Sequence, residues 1–219
     1  MSGSPAAPRP FMLVLAGVNG AGKSSVGGAL LGESDLTWFN PDTFARELTA
    51  HSSMEIGVAN GVAWEYGHAQ LEAAITAGTN YAFETTLGAR TIPDMLLQAS
   101  ATHDVVMIFC GLASAELHLQ RVRARVLAGG RDLPEQKIRE CWVASRTNLI
   151  RLLPALAHLQ VMDNSTEAAP GEEIPDPVLV LEMVNGALSA PSPDDARALA
   201  ATPAWARPIV QAAIELQKP

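Results

Sequence analysis

The feature that most constrains this 219-residue chain is a glycine-rich turn near its N-terminus. Residues 17–24 read GVNGAGKS and fit the pattern G-x-x-x-x-G-K-[S/T] at every required position. Glycines let the backbone turn so tightly that successive N–H groups point inward and make a cradle for anionic oxygens. A helix that begins at the end of the turn would direct its positive end at the same place. The pattern therefore predicts a phosphate-binding loop.

The sequence on both sides of the turn supports this interpretation. Residues 11–16 (FMLVLA) form an apolar run of the kind found in strands buried on both faces, and a helix is predicted from about residue 22 to residue 31. A glycine-rich turn that matches by chance is the alternative, but the strand and helix are the context that the pattern requires. Lys23 would reach the β- and γ-phosphates of a nucleoside triphosphate, and the Ser24 hydroxyl would ligate Mg²⁺. The residues predicted to bind the triphosphate here are Gly17, Asn19, Gly20, Ala21, Gly22, Lys23, Ser24 and Ser25.

The rest of the chain alternates between strand-like and helix-like segments. This alternation implies right-handed crossovers and a parallel sheet with helices on both faces, which is an α/β fold. Strands are predicted at residues 11–16, 37–39, 81–83, 105–112 and 159–162, and helices at residues 22–31, 43–49, 54–77, 91–100, 115–127 and 134–153.

Changes in composition divide the chain into three parts. Residues 1–10 have no apolar signal-peptide region and are predicted to be a flexible leader. Residues 11–167 carry the alternating pattern and are predicted to form one domain. Residues 168–219 are richer in proline and are predicted to be a C-terminal extension. Within this extension we expect a hairpin at residues 178–184 and short helices near residues 194–200 and 206–216.

Charge and cysteine usage narrow the range of functions. The formal net charge is −8 and the pI is about 5.1, so the chain lacks the broad positive field that non-specific nucleic-acid binding needs. The apolar runs are of strand length, short of the roughly 20 residues of a membrane span. Cys110 and Cys141 have no metal-ligand spacing; a disulfide between them is an alternative to two reduced thiols. The five histidines show no ligand spacing and are interpreted as surface or structural residues. We expect a cytoplasmic protein with neither nucleic acid nor membrane as a partner.

Two carboxylates follow predicted strands. Asp42 comes after the second strand and Glu84 after the third, and the carboxyl ends of parallel strands are where such sheets bind ligands. Asp42 would accept the proton of an acceptor hydroxyl, or it would cap the helix that follows; the spacing does not separate these alternatives. Glu84, with Thr85 and Thr86, would bind a hydroxylated acceptor or a water of Mg²⁺, unless the three only make ordinary loop hydrogen bonds.

Arginines are concentrated in one region. Eight of the fifteen Lys and Arg residues fall between residues 121 and 151, which predicts a local anion site in an acidic protein. Arg121 and Arg125 are four residues apart and share a helix face, and Arg131 follows in a Gly-Gly-Arg-Asp-Leu-Pro loop. We predict that residues 121–140 form a helical lid that closes over the γ-phosphate. A solvated surface position is favoured for Arg123, Lys137 and Arg139.

Five stretches, in this order, resemble the zeta-toxin-like family of P-loop kinases over about residues 11–165. The resemblance implies a P-loop kinase-type sheet with Asp42 as catalytic base. It also implies that Lys23, Arg121 and Arg131 grip the triphosphate, and it places Glu84 and Thr86 at the acceptor and Asn164 at the adenine. The stretches are AGVNGAGKSS (16–25), FNPD (39–42), FETTL (83–87), RVRARV with GGRDLP (121–126 and 129–134) and MDNS (162–165).

The chain also departs from the toxins. They carry a longer lid and a Glu-Gly-Thr-type segment where this chain has Glu84-Thr85-Thr86. Their acceptor, UDP-N-acetylglucosamine, is therefore one candidate among small molecules, and an antitoxin partner is left open.

The leading hypothesis is an ATP- and Mg²⁺-dependent kinase that phosphorylates a hydroxyl of a small molecule. The alternative is a nucleotide-dependent switch or binding module without an acceptor. A switch would show an apolar strand that ends in a Walker-B aspartate, whereas residues 105–112 are followed by no acid before Glu116. This favours the kinase.

Overall fold

A six-stranded sheet forms the centre of the computed structural model, which describes residues 8–31, 38–127, 132–167 and 175–218. The strands are β1 (Phe11–Ala16), β2 (Tyr81–Thr85), β3 (Asp104–Gly111), β4 (His158–Asp163), β5 (Val178–Val184) and β6 (Ala187–Ala190). Their order across the sheet is β2-β1-β3-β4-β5-β6. The first four strands run parallel, and β5 and β6 are antiparallel to their neighbours.

Helices connect the parallel strands, as the alternating pattern predicts. A single 3₁₀ turn at Leu153–Ala155 precedes β4. The helices are α1 (Lys23–Leu31), α2 (Pro41–His51), α3 (Ile56–Ala77), α4 (Thr91–Ala99), α5 (Ala115–Leu127), α6 (Glu135–Leu152), α7 (Ala196–Ala201) and α8 (Arg207–Glu215).

Both faces of the sheet are covered. Successive side chains of a strand point to opposite faces, so the apolar run of β1 supplies two cores at once. Met12 and Val14 belong to the main core, beneath α4, α6 and α8, whereas Leu15 packs with Val26 of α1 on the other face. The predicted α/β architecture is therefore confirmed.

Two local predictions differ from the structure. The predicted strand at residues 37–39 is reduced, among the described residues, to one parallel bridge between Phe39 and Phe83. The interpretation of Asp42 as a helix cap is wrong. Helix α2 begins at Pro41, and the side chain of Asn40 accepts the N–H of Thr43 at 3.0 Å. Proline has no N–H to satisfy and suits the first helical position, so Asn40 and not Asp42 is the capping residue.

The described part of the C-terminal segment continues the sheet. The predicted hairpin at residues 178–184 is only its first strand, β5, which pairs with β4. The chain reverses at Asn185-Gly186, where both residues have positive φ (50° and 78°), as a two-residue hairpin turn requires. Trp205 and Ile209 are buried in the main core. This segment therefore completes the core that β1 begins.

Two further observations bear on the sequence predictions. Cys110 and Cys141 are both buried and unpaired, so they do not form a disulfide. Within the described ranges, no helix is long and apolar enough to cross a membrane.

Candidate active site

The glycine-rich turn lies between β1 and α1, where the sequence places it. Gly20 and Gly22 have φ of +86° and +85°, a region that residues with a Cβ rarely adopt. A side chain at position 22 would also collide with Asn164, and one at position 20 would press on the backbone of His118. The backbone conformation therefore favours glycine at both positions, and position 22 also has no room for a side chain.

A cleft of about 920 Å³ opens beside this loop. Its walls come from the loop, the start of α2, part of α3, the end of β2 and one face of α5. The fold thus brings together segments that are more than 100 residues apart in sequence. The predicted site residues that line the cleft are Asn19, Gly20, Gly22, Lys23, Ser24, Ser25, Asp42, Glu84, Arg121 and Arg125.

The amine of Lys23 is enclosed at the base of this cleft, with the residue only 9% exposed. Burial lowers the pKa of Lys23, while the carboxylates of Glu84 and Asp42 act in the opposite direction. A buried ammonium group needs an anionic partner to offset its lost hydration. The position of Lys23 therefore favours the binding of an anion such as a phosphate.

Glu84 joins the loop to the end of β2. Its Oε1 accepts the hydroxyl of Ser24 at 2.9 Å and the indole N–H of Trp38 at 3.4 Å. The amide of Asn40 also donates to the Ser24 hydroxyl, at 3.4 Å. Glu84 is buried, so these bonds fix its carboxylate beside Ser24.

Ser24 and Glu84 are a suitable beginning for a magnesium site. Both offer oxygen atoms, the ligands that Mg²⁺ prefers, and Mg²⁺ commonly takes only one or two protein ligands and completes its shell with phosphates and water. In the described part of the chain, no group of three or more His, Cys, Asp or Glu side chains could hold a metal by itself. The residues present fit a metal that accompanies a nucleotide.

Asp42 lies in the first turn of α2 and faces the phosphate loop across the cleft. The amide of Asn19 donates to Asp42 Oδ2 at 3.5 Å. Asn19 is itself part of the loop, so this contact links the loop directly to the carboxylate. The structure thus brings Asp42 and Lys23 to one cleft although 18 residues separate them.

Helix α5 presents its arginines to different surroundings. Arg121 and Arg125 line the cleft, and Arg121 Nη2 donates to the carbonyl of Thr166 at 3.2 Å. Arg123 points elsewhere, as predicted, and pairs with Glu135 at 3.2 Å. Arg139 pairs on the surface with Glu116 and Glu135. Arg131 lies outside the described residues, as does the centre of the predicted lid.

Two predicted residues have other contacts. The Thr86 hydroxyl accepts the N–H of Gly88 at 3.3 Å, and Thr86 does not line the cleft. The amide of Asn164 donates to the carbonyl of Ala21 at 2.9 Å, so it holds the back of the phosphate loop.

Sequence reasoning did not single out Trp38 or Asn40 as site residues. Only the fold shows that both contact Glu84 or Ser24. An available signal was the position of Asn40, an N-cap residue type directly before a proline.

A family model described as "AAA domain" matches residues 12–142, more than half of the chain. The chain belongs to this AAA domain family. The matched region runs from β1 to α6 and contains the phosphate loop and every residue named above as lining the cleft. The sheet and its loop constitute a P-loop kinase-like fold, which is a broader assignment than the zeta-toxin-like resemblance of the sequence. No curated protein matches the chain.

Several solved structures share the fold at low sequence identity. The AvrRxo1-ORF1:-ORF2 complex with ATP has a TM-score of 0.59 at 18% identity, over 84% of this chain and 61% of that chain. A structure from the PezAT toxin–antitoxin system of Streptococcus pneumoniae has a TM-score of 0.52 at 17% identity, over 74% and 72%. The Pnkp1/Rnl/Hen1 RNA repair complex has a TM-score of 0.52 at 20% identity, over 68% and 48%. The match spans about three fifths of the AvrRxo1 chain.

Proposed function

We propose that this protein is an ATP-dependent phosphotransferase that moves the γ-phosphoryl group to a hydroxyl of a small molecule. The observation that carries this proposal is that Asp42 and the phosphate loop face each other across one cleft. A carboxylate in that position suits an acceptor hydroxyl, which a nucleotide switch does not need.

The donor half of the site is the loop with Lys23 and Ser24. Backbone N–H groups of the loop would hold the phosphates, and the enclosed ammonium group of Lys23 would neutralise charge on the β- and γ-phosphates. Ser24, with Glu84 behind it, would hold Mg²⁺. When bound, this metal supplies neutralisation of charge on the phosphate oxygens.

The acceptor half of the site is the start of α2. Asp42 orients the acceptor hydroxyl and takes its proton as the oxygen bonds to the γ-phosphorus. The bond from the γ-phosphorus to its bridging oxygen breaks, and ADP leaves with those electrons. The proton on Asp42 then passes to solvent, and the enzyme returns to its starting state.

The arginines complete the donor site from α5. Arg121 and Arg125 line the cleft and would stabilise the charge on the phosphoryl group during transfer. We propose the same role for Arg131, from the helix–loop–helix predicted at residues 121–140.

The proposed acceptor is a small molecule that carries a hydroxyl group. The family resemblance and the PezAT likeness support a zeta-toxin-like kinase with a sugar nucleotide such as UDP-N-acetylglucosamine as one candidate. Glu84 lines the cleft and would face this acceptor, whereas Thr86 lies outside the cleft lining, so we do not carry its predicted acceptor contact into the proposal. An antitoxin partner would follow only if growth arrest is observed. The cleft also has an apolar side, formed by Phe39, Phe44 and Ile56, that would contact the part of the acceptor away from its hydroxyl.

The test is a transfer screen with purified full-length protein, ATP and Mg²⁺ against sugars, nucleosides and sugar nucleotides. ADP release and the product mass are measured together. We expect ADP release that depends on one acceptor class and a product heavier by one phosphoryl group, both abolished by Lys23→Ala. ATP binding without any acceptor-dependent ADP release, combined with nucleotide-dependent capture of a protein partner, would instead support the switch.

A further inference from the structure

The phosphate loop is held from behind by two side chains that do not belong to it. His118 of α5 places its Nδ1 at 2.9 Å from the carbonyl oxygen of Asn19. Asn164, directly after β4, donates its amide N–H to the carbonyl of Ala21 at 2.9 Å. The two contacts grip alternate peptide groups of the same loop.

These contacts have a consequence for the inner side of the loop. A trans peptide is planar, so the carbonyl of one residue and the N–H of the next point in opposite directions. A carbonyl of Asn19 held outward by His118 therefore turns the N–H of Gly20 inward. In the same way, Asn164 turns the N–H of Gly22 inward through the carbonyl of Ala21.

The two N–H groups have no other role within the described structure. Neither Gly20 nor Gly22 donates its N–H to a partner among the described residues, whereas Gly17 donates to Thr85 and Ala21 donates to Val18. Both glycines line the cleft, and Ala21 between them is buried. We propose that His118 and Asn164 are positioning residues that align the N–H groups of Gly20 and Gly22 for the triphosphate. This inference rests on the nucleotide-binding half of the proposed function.

Both side chains are well placed for this role because rigid elements carry them. His118 is only 1% exposed and lies in the first turn of α5. Since a carbonyl oxygen can only accept, the ring must carry its proton on Nδ1. The backbone N–H of Asn164 donates to the carbonyl of Gly111 at 3.0 Å, which ties Asn164 to the end of β3. Loss of either bond would leave a glycine-rich peptide free to rotate before the nucleotide binds.

The test measures the affinity of the full-length protein for Mg·ADP by calorimetry, a measurement that needs no acceptor. His118→Leu keeps an apolar volume and removes the donor, and Asn164→Asp replaces the donor with a carboxylate that repels the carbonyl of Ala21. We expect each variant to raise the Kd by about tenfold, the order expected from one lost hydrogen bond. His118→Asn, whose amide can take the place of Nδ1–H, should stay within about threefold of wild type by the same reasoning.

A matched control separates positioning from general stability. His103 is also 1% exposed, but it directly precedes the amino-terminal end of β3, whereas the phosphate loop follows the carboxyl end of β1. His103→Leu should lower the unfolding temperature without changing the Kd for Mg·ADP. In ¹H–¹⁵N spectra, the Gly20 and Gly22 amides should shift on nucleotide binding in wild type and shift less in the His118→Leu and Asn164→Asp proteins respectively.

The outcomes distinguish this inference from the proposed function. Folded His118→Leu and Asn164→Asp proteins that bind Mg·ADP like wild type would overturn it, as would a His118→Asn protein as weak as His118→Leu. If His118→Leu does not fold, the Asn164→Asp protein tests the inference, because Asn164 is partly exposed. Its Kd for Mg·ADP and the shift of its Gly22 amide are then the two readouts. A wild-type protein that binds Mg·ADP but transfers no phosphate to any acceptor would contradict the proposed kinase function. The positioning role would still be tested by the Kd values of the variants.

Discussion

Burial controls the chemistry of individual residues beneath the phosphate loop. Burial lowers the pKa of Lys23 because the charged amine loses hydration, and the negative charge of a bound phosphate would favour the protonated form. His118 is enclosed close by, and burial lowers its pKa to about 4, helped by the nearby Lys23 and Arg121 cations. The imidazole is therefore neutral at physiological pH and donates to the loop as an uncharged group.

The low pKa of His118 predicts a loss of stability in acid. Well above pH 6.5 the imidazole is neutral in both the folded and the unfolded state and has no effect on stability. As the pH falls from 6.5 to about 4, His118 becomes protonated in the unfolded chain but stays neutral in the folded chain. The free energy of unfolding therefore falls. The total loss is on the order of 3 kcal/mol. Urea unfolding at pH 7, 5.5 and 4 measures it.

The His118→Leu protein is the control for this effect, because it has no imidazole to protonate. Its free energy of unfolding should fall less steeply over the same pH range. Identical pH slopes in the two proteins would show that His118 does not have a lowered pKa.

At the scale of elements, the start of α2 shows what local sequence could and could not predict. The pattern of residues 43–49 predicts helix α2. The spacing alone leaves Asp42 as one candidate for its cap, although Pro41 already indicates Asn40. The contacts of Trp38 and Asn40 with Glu84 and Ser24 could not be predicted, because they depend on the spatial arrangement of three chain segments. The rule that parallel sheets bind ligands at the carboxyl ends of their strands nonetheless predicted that Asp42 and Glu84 lie near each other, and both line the cleft.

The cap of α2 can be tested by substitution at Asn40. Asn40→Ala should lower the free energy of unfolding by about 1 kcal/mol, because the N–H of Thr43 loses its acceptor. Asn40→Asp keeps that acceptor and should be close to wild type in stability. Thermal or urea unfolding of the two proteins gives the comparison. Equal losses would show that the side chain does not cap the helix.

Helix α5 offers a matched pair of arginines on different faces. Arg121→Ala removes a cation from the cleft and should lower the rate of ADP formation by about a hundredfold. Arg123→Ala removes an exposed cation that pairs with Glu135, and we expect little change. Steady-state kinetics on both proteins measures the difference, and equal rates would remove Arg121 from the donor site.

At the scale of the whole molecule, the C-terminal segment was the least predictable part. Its proline-rich composition indicated an extension, because sequence alone does not show which partner an apolar strand will find. In the structure β5 pairs with β4, and Leu181, Trp205 and Ile209 fill the main core. The parallel part of the sheet was predictable because the periodicity of strands and helices depends only on residues that are close together in the sequence.

Removal of this segment should therefore unfold the protein. A chain that ends at residue 167 lacks β5, β6 and α8, and we expect it to lose cooperative thermal unfolding. The graded variant Trp205→Ala should cost about 3–5 kcal/mol as a large buried side chain is lost. A shortened chain that still unfolds cooperatively at the wild-type temperature would show that residues 168–219 are a separate extension.

The central claim is that Asp42 accepts a proton from the acceptor of a phosphoryl group donated at the phosphate loop. Asp42→Asn keeps the shape of the side chain and removes its basicity. The most direct measurement compares the single-turnover rate of phosphate transfer and the Kd for Mg·ADP in wild type and Asp42→Asn. We predict a transfer rate lower by about 10²–10⁴-fold with the nucleotide affinity nearly unchanged. Undiminished transfer by Asp42→Asn would contradict the proposed role of Asp42.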